Sequence, residues 1–332
     1  MKAEFPTTLR EAIQYFVDDE RAFEFMKKIR WPDGVVRCPR CDGTEVSFIS
    51  TRKLWTCKTC KTRKQFTLRV GTILEDSPIK FDKWIGGFWL LANAKNGISS
   101  YEVGRALGVT QRTGWFMLQR IRLALQNGSI VRDKLKGLVE VDESYIGGLA
   151  RNMHKDVKEK KIKGRGPNGG THKTAVQGLL QKHIGKCSKV VAEVVLETGS
   201  DTLQGNVRKY VLKGSEVHTD AHRSYHGLNE DFIHEVIDHA VAYARDGVTT
   251  NGLENFWSLL KRTLRGTYVS VEPFHLFRYL DEQVFRFNER KDENGDQGRF
   301  MKAIAGMVGK RLTWKRLVGQ DGIPDGLPAA LA

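Results

Sequence analysis

Two Cys-x-x-Cys pairs, Cys38-Pro39-Arg40-Cys41 and Cys57-Lys58-Thr59-Cys60, stand fifteen residues apart near the start of a 332-residue chain. Each pair sets two sulfurs on one tight turn, and two such knuckles make a tetrahedral four-thiolate site of the kind that suits zinc. With all four positions filled by protein sulfur, the site is structural and not catalytic. The opening MKAEFPTTLREAIQYF lacks the basic start and apolar run of a secretory signal, so metal is favoured over disulfides. Glu45 to Trp55 alternates polar and apolar residues and reads as a hairpin between the knuckles, with Gln65–Leu68 as a further strand. The fifth cysteine, Cys187, reads as a small apolar filler beside a strand.

Arg52, Lys53, Lys58, Lys61, Arg63 and Lys64 make this segment basic, which fits either a grip on a DNA backbone or a plain solvated surface. The whole chain carries a formal charge of +15, which points to a polyanionic partner, nucleic acid being the commonest. No run of about 18 apolar residues exists, so no membrane span is predicted and a cytoplasmic protein, nucleoid-associated when on DNA, is expected.

Upstream of the cysteines, Ile13, Phe16, Val17, Phe23 and Phe25 recur at helical spacing, predicting one amphipathic helix between Leu9 and Ile29 at most. Downstream, Asp82–Lys95 reads as a helix, and Ser99-Ser100-Tyr101-Glu102 as the capped start of another. Gly108 breaks that helix and Thr110 caps the next, Gln111 to Leu125, with Trp115, Leu118, Ile121 and Leu125 on its buried side. Two short helices about such a turn form a helix-turn-helix, and Gln111, Arg112 and Thr113 sit where a recognition helix reads base edges. A packed helical hairpin is the alternative.

From Gly137 onward, apolar strands end in carboxylates. Leu138-Val139-Glu140-Val141-Asp142 is one, and Glu216-Val217-His218-Thr219-Asp220 another. Thr174–Leu180, Lys189–Leu196 and Phe232–Ile237 add strands, and Thr202–Leu212 a helix. In the segment from Asn251, Leu253, Phe256, Trp257, Leu260 and Leu264 form the apolar face of a helix, with Asn251, Glu254, Ser258 and Lys261 on a polar stripe. The pattern predicts a mixed α/β sheet with helices on its faces. Carboxylates from two strand tips and one helix can then converge, and such hard oxygen ligands suit Mg²⁺ or Mn²⁺. Two such ions activate a water or 3′-hydroxyl and stabilise the leaving oxygen at phosphorus.

The chain resembles the bacterial insertion-sequence transposases of the DDE superfamily, in the group with an N-terminal zinc ribbon. The pieces that carry the resemblance are Trp31-Pro32-x-Gly34 with the cysteine pairs, Val141-Asp142-Glu143-Ser144-Tyr145-Ile146-Gly147-Gly148, and Thr219-Asp220. Glu254 to Arg262, Gly266-Thr267-Tyr268, Phe274-His275-Leu276, Tyr279-Leu280-Asp281-Glu282 and Arg286-Phe287-Asn288-x-Arg290 complete it.

The resemblance implies a ribonuclease H-like catalytic core with Asp142, Asp220 and Glu254 as catalytic acids and Mg²⁺ ligands, two ions per site. Thirty-three residues separate Asp220 from Glu254, a spacing typical of that superfamily. It also implies Lys261, seven residues past Glu254, as the basic partner that holds DNA ends, next to Arg262. Asn251 is a further candidate neighbour of the site, because related groups use asparagine at the third acidic position. Glu143 competes with Asp142, although strand alternation points it to the opposite side. Between residues 151 and 173, eight Lys/Arg (Lys160, Lys161 and Arg165 among them) face two acids, which reads as a DNA-contacting loop or a solvated one.

The expected organisation is an N-terminal helix and zinc ribbon over 1–75, a helix-turn-helix domain over 76–130, a catalytic domain over 131–300 and a loosely held basic tail over 301–332. The implied activity is metal-dependent cleavage and strand transfer of DNA. The implied partners are double-stranded DNA, as terminal inverted repeats and target, and further copies of the chain in a dimer or larger synaptic assembly. A domesticated, non-catalytic DNA-binding regulator is the alternative.

Overall fold

A computed structural model describes residues 5–129, 133–147, 173–182, 187–237 and 250–320. The chain divides into two compact units, Met1–Asn127 with Asp292–Leu317, and Gly128–Lys291 with Val318–Ala332.

The first unit opens with two helices, α1 (Leu9–Phe16) and α2 (Asp19–Arg30), where the apolar spacing predicts one. The break comes from Asp18. Its backbone is extended and its carboxylate accepts the N–H groups of Glu20 and Arg21 at 3.1 and 2.8 Å, capping a new helix. Three antiparallel strands follow, β1 (Val46–Ile49), β2 (Leu54–Cys57) and β3 (Gln65–Thr67). Trp55 anchors them. It is buried, stacks on Phe23 of α2 at 5.9 Å and meets Trp31 edge-on at 5.2 Å.

Three more helices complete the N-terminal part of this unit: α3 (Phe81–Asn93), α4 (Ser100–Leu107) and α5 (Gln111–Ser129). Ser99 and Glu102 form the expected capping box on α4. Gly108, at φ +59°, ends α4 in the left-handed conformation and turns the chain into α5. Leu118, Ile121 and Leu125 are buried as expected, but Trp115 is only half-buried.

The second unit is a five-stranded mixed sheet in the order β6-β5-β4-β7-β8, the sheet expected of a ribonuclease H-like core. Its strands are β4 (Leu138–Ile146), β5 (Thr174–Gln181), β6 (Lys189–Val195), β7 (Glu216–Asp220) and β8 (Ile233–Ile237). β5 runs antiparallel to its neighbours β4 and β6, and β7 and β8 run parallel to β4. Helix α6 (Ser200–Tyr210) covers one face, packing Leu203 and Val207 against Val139, Val141 and Leu179. Helices α7 (Asn251–Thr263) and α8 (Leu276–Asn288) cover the other, packing Leu253, Phe256, Leu260 and Leu280 against Val176, Leu180 and Val190. Glu282 of α8 is buried, where it accepts bonds from the Tyr268 hydroxyl at 2.5 Å and from Arg286, so charge below the surface is compensated.

The chain then returns to the first unit. Helix α9 (Gly295–Ala305) sets Phe300 between Trp89 at 4.9 Å and Phe25 at 5.9 Å. The segment after it is stitched in by backbone bonds from Ile73 N–H to the Met307 carbonyl and from Gly309 N–H to the Gly71 carbonyl. Arg120 donates to the Leu312 carbonyl at 3.2 Å. A loosely held tail from residue 301 is therefore not what forms over 301–317. Ile304, Met307, Leu312 and Leu317 are buried between basic residues whose charge hid them in the sequence. Among the described residues, no helix is long and apolar enough to cross a membrane.

Candidate active site and zinc cluster

The sulfurs of Cys38, Cys41, Cys57 and Cys60 all lie within 4.8 Å of one another. Cys38 and Cys60 are 3.7 Å apart, and Cys41 and Cys57 3.6 Å. Four sulfurs at about 2.3 Å from a tetrahedral zinc stand about 3.8 Å apart, so the cluster already has the dimensions of the filled site. The backbone N–H of Cys60 points at the Cys57 sulfur and holds its thiol down to about 6, whereas the neighbouring sulfurs and burial push the Cys60 thiol up to about 12.

The candidate acids lie in the second unit and follow from strand register. Leu138, Val139 and Glu140 pair in parallel with Glu216, Val217 and His218. Carried two residues past the last ladder pair, this register sets Asp142 and Asp220 on the same face of neighbouring strands. That face is the one α7 covers.

Three contacts fix α7 there. The buried Glu140 carboxylate accepts the Leu253 N–H at 3.0 Å and binds Lys182 at 2.7 Å, fastening the first turn of the helix to β4. A negative charge at a helix N-terminus is also favoured by the helix dipole. Gly252 lies against the same carboxylate, and a Cβ there would come within 2.6 Å of Glu140 Oε2. One turn on, Trp257 donates its indole N–H to Asp142 Oδ2 at 2.9 Å. The indole fits because Gly178, which faces Asp142 across the β4/β5 ladder, has no side chain; a Cβ at Gly178 would sit 2.7 Å from the ring.

An open cleft results, lined by Asp142, Glu143, Ser144, Glu254, Trp257, Ser258, Lys261, Arg262 and Arg265. Burial lifts the Asp142 carboxyl to about 6 against the pull of the Trp257 bond, with Asp220 and Glu254 adding repulsion. Both other acids therefore act on Asp142 electrostatically. Asp220 is not among the cleft-lining residues, and its Oδ1 accepts the His222 N–H at 3.1 Å in a turn. Glu254 is exposed on the first turn of α7. Asn251, at the first helical position, is exposed and does not line the cleft.

Glu143 joins the site as well. Alternation sends it away from Asp142, yet both line the cleft. The ladder between β4 and β7 ends at Glu140 and His218, while alternation along β4 continues, with Tyr145 packed on the α6 side and Ile146 on the α7 side. Burial, then Asp142 and Asp220, push the Glu143 carboxyl up to about 9, and its Oε1 has no hydrogen-bond partner among the described residues.

Lys261 lies beside these acids. Burial and the Arg265 cation lower its pKa, Asp142 opposes them, and Lys173 adds to the lowering. With Arg262 and Arg265 it makes a basic wall facing the acidic one.

Of the other candidate DNA contacts, Gln111 gives an amide N–H to the Ser100 hydroxyl at 2.9 Å, and the Thr113 hydroxyl meets that of Thr110 at 2.9 Å. Arg112 is exposed, its guanidinium 4.7 Å from the Trp314 ring centre. Lys160, Lys161 and Arg165 lie outside the described residues. Glu140, Gly178 and the indole N–H of Trp257 had no part in the sequence reading of the site. Glu140 was findable, because alternation puts it on the same face as Asp142.

Comparison with known proteins matches residues 134–288 to the ISXO2-like transposase domain and residues 17–63 to the transposase zinc-ribbon domain. A protein in the transposable element ISH50 of Halobacterium salinarum is 27% identical over 288 residues, covering 82% of this chain and 94% of that protein. A transposase-like protein of Haemophilus influenzae is 38% identical over 104 residues, covering 31% of this chain and 83% of that one.

Proposed function

We propose that this chain, which joins a transposase zinc ribbon to an ISXO2-like transposase domain, binds the terminal inverted repeats of an insertion sequence and catalyses DNA strand cleavage and strand transfer there. The observation that carries the reading is Asp142 on β4, repelled by Asp220 from its parallel neighbour, under a helix that brings Glu254 and Lys261 to the cleft Asp142 lines.

The donor set fits divalent cations. Burial, with Asp220 and Glu254 adding repulsion, disfavours the Asp142 anion until a cation arrives, and carboxylate oxygens are the hard donors such ions take. Asp142, Asp220 and Glu254 would hold Mg²⁺ or Mn²⁺, two ions per site. Bound there, the ions would lower the pKa of a water or 3′-hydroxyl and neutralise charge building at phosphorus. The protein's own residues orient this set. Trp257 fixes the Asp142 carboxylate by its N–H, and Glu140 fixes the helix that carries Glu254. Lys261, Arg262 and Arg265 hold the phosphodiester against the acids.

The zinc cluster, filled with one structural Zn²⁺, holds the ribbon folded for DNA binding beside α4 and α5. Because two element ends must be held together, the working form is a dimer or a larger synaptic assembly.

The experiment is a strand-transfer assay in Mg²⁺ on duplexes carrying the element's terminal inverted repeats, with wild type, Glu254→Gln and Asn251→Ala. Cleavage and joining by wild type and Asn251→Ala, with loss in Glu254→Gln, support the assignment. Full activity in Glu254→Gln moves the third ligand elsewhere. Specific binding with no chemistry in Mg²⁺ or Mn²⁺ replaces the reading with that of a regulator.

A further inference from the structure

The segment 310–317 of the first unit reads Lys-Arg-Leu-Thr-Trp-Lys-Arg-Leu, four basic residues without an acid. Its cations divide by role. Lys310 donates to the Leu123 carbonyl at 2.7 Å, and Arg311 pairs with Glu75 at 3.4 Å and Asp76 at 2.6 Å. These two fasten the segment, and the buried Leu312 and Leu317 anchor it further. Lys315 is different. It is exposed and has no ion pair or hydrogen bond among the described residues.

Beside Lys315, the Trp314 side chain is 38% exposed, although it touches three residues at the start of α5. Its ring meets Trp115 edge-on at 6.0 Å and Phe116 at 5.7 Å, and the Arg112 guanidinium lies over it at 4.7 Å. Residues 112, 115 and 116 share one face of the helix. The indole thus braces an arginine at the opening of the second helix of the helix-turn-helix while keeping its own outer surface in solvent. Gln111 and Thr113 are held by Ser100 and Thr110, so Arg112 is the candidate contact there whose guanidinium makes no hydrogen bond among the described residues.

We propose that residues 310–317 are a third DNA-contacting element of this unit. Lys315 binds the phosphodiester backbone next to the groove that α5 enters, and Trp314 holds Arg112 extended toward the same duplex. The inference rests on the reading of α4 and α5 as a DNA-binding helix-turn-helix, and goes beyond it by bringing in the far end of the chain. The partner chemistry follows from charge and shape. An unpaired ammonium and a guanidinium carried on an aromatic plate suit a polyphosphate backbone, whose contacts set position and register.

The test uses the full-length, zinc-loaded protein and a fluorescein-labelled duplex carrying the DNA that flanks its own reading frame. Anisotropy titrations over a salt series compare wild type, Lys315→Ala, Trp314→Ala, Arg112→Ala and the Trp314→Ala/Arg112→Ala double variant. Each lost phosphate contact makes the plot of log affinity against log salt shallower by about 0.9. Lys315→Ala is expected to show that change and a several-fold loss of affinity. The two Trp314 and Arg112 variants are expected to be non-additive, the double variant binding no worse than the weaker single one. Lys315 is exposed, so its variant reports even if Trp314→Ala disturbs the fold. Wild-type slope and affinity in Lys315→Ala, with strong DNA binding by the parent, overturn the proposal and leave the helix-turn-helix reading standing. Absence of DNA binding by the parent overturns both.

Discussion

Asp142→Asn should stabilise the magnesium-free protein, although it removes the acid most central to the proposed chemistry. Burial raises the Asp142 carboxyl from 3.8 to about 6, so the folded unit holds this proton more tightly than the unfolded chain. Stability contributed by a group of that kind is full below pH 3.8 and is lost as pH rises to about 6. Above that pH the charged form costs the fold at most about 3 kcal/mol, from 1.36 kcal/mol per pKa unit. The amide that the Asp142→Asn change introduces carries no charge, yet its oxygen still accepts the Trp257 N–H. For a unit of this size, about 2–4 °C per kcal/mol translates to a rise of about 6–12 °C in Tm at pH 7.5. At pH 5 the gain should fall to about half, and at pH 4 to about a fifth. The assay is differential scanning calorimetry of wild type and variant, zinc-loaded and free of Mg²⁺, at those three pH values. Adding Mg²⁺ should then raise the Tm of the wild type more than that of the variant. An unchanged or lowered Tm at pH 7.5, or a gain as large at pH 4, would refute the argument that desolvation and neighbouring acids dominate this carboxyl.

Gly178→Val places a side chain where the Trp257 ring lies, and is expected to destabilise the second unit by about 1–3 kcal/mol in thermal unfolding and to slow cleavage by releasing Asp142. Glu140→Ala removes the acceptor for the Leu253 N–H and the partner of Lys182. A loss of about 2 kcal/mol is expected, below the 3–5 kcal/mol of a fully buried pair because Lys182 is partly in solvent, and urea titration measures it. Cys57→Ser should lower the zinc content measured by atomic absorption from one equivalent to a small fraction, and should reduce DNA binding together with the protection of β1–β3 amides from exchange.

The parts of this fold that were legible in the sequence are those specified locally. Cysteine spacing gave the ribbon, short apolar runs gave the five strands of the sheet, and period 3.6 gave α7 with its apolar face. The break at Asp18 was legible in principle, since an aspartate followed by Asp19 and Glu20 is a helix start, but the apolar spacing ran through it and outweighed it. What stayed hidden was pairwise. Nothing in the local sequence says that Gly178 faces Asp142 or that the missing side chain admits the Trp257 ring, because register joins residues far apart in the chain. That Glu143 also lines the cleft was hidden too, because alternation gives its face of β4 and not which residues rim the space at that end of the strand.

The return of residues 292–317 to the first unit changes what the N-terminal region is. A chain of independent modules would allow the ribbon and helix-turn-helix to be cut out as residues 1–130 and still bind DNA. Here Phe300, Ile304, Met307, Leu312 and Leu317 are each 0% exposed within that unit. At about 1.5–3 kcal/mol for each buried side chain, their removal forfeits about 10 kcal/mol, as much as the whole stability of an ordinary domain. The fragment 1–130 should therefore be largely unfolded by circular dichroism, whereas a fusion of residues 1–127 to 292–317 through a flexible linker should fold and bind the duplex. Independent folding of the short fragment would show that the returning segment decorates a finished core. Its failure, with rescue by the fusion, means that the first unit closes only after the second has been synthesised, because the chain between its two halves is that unit.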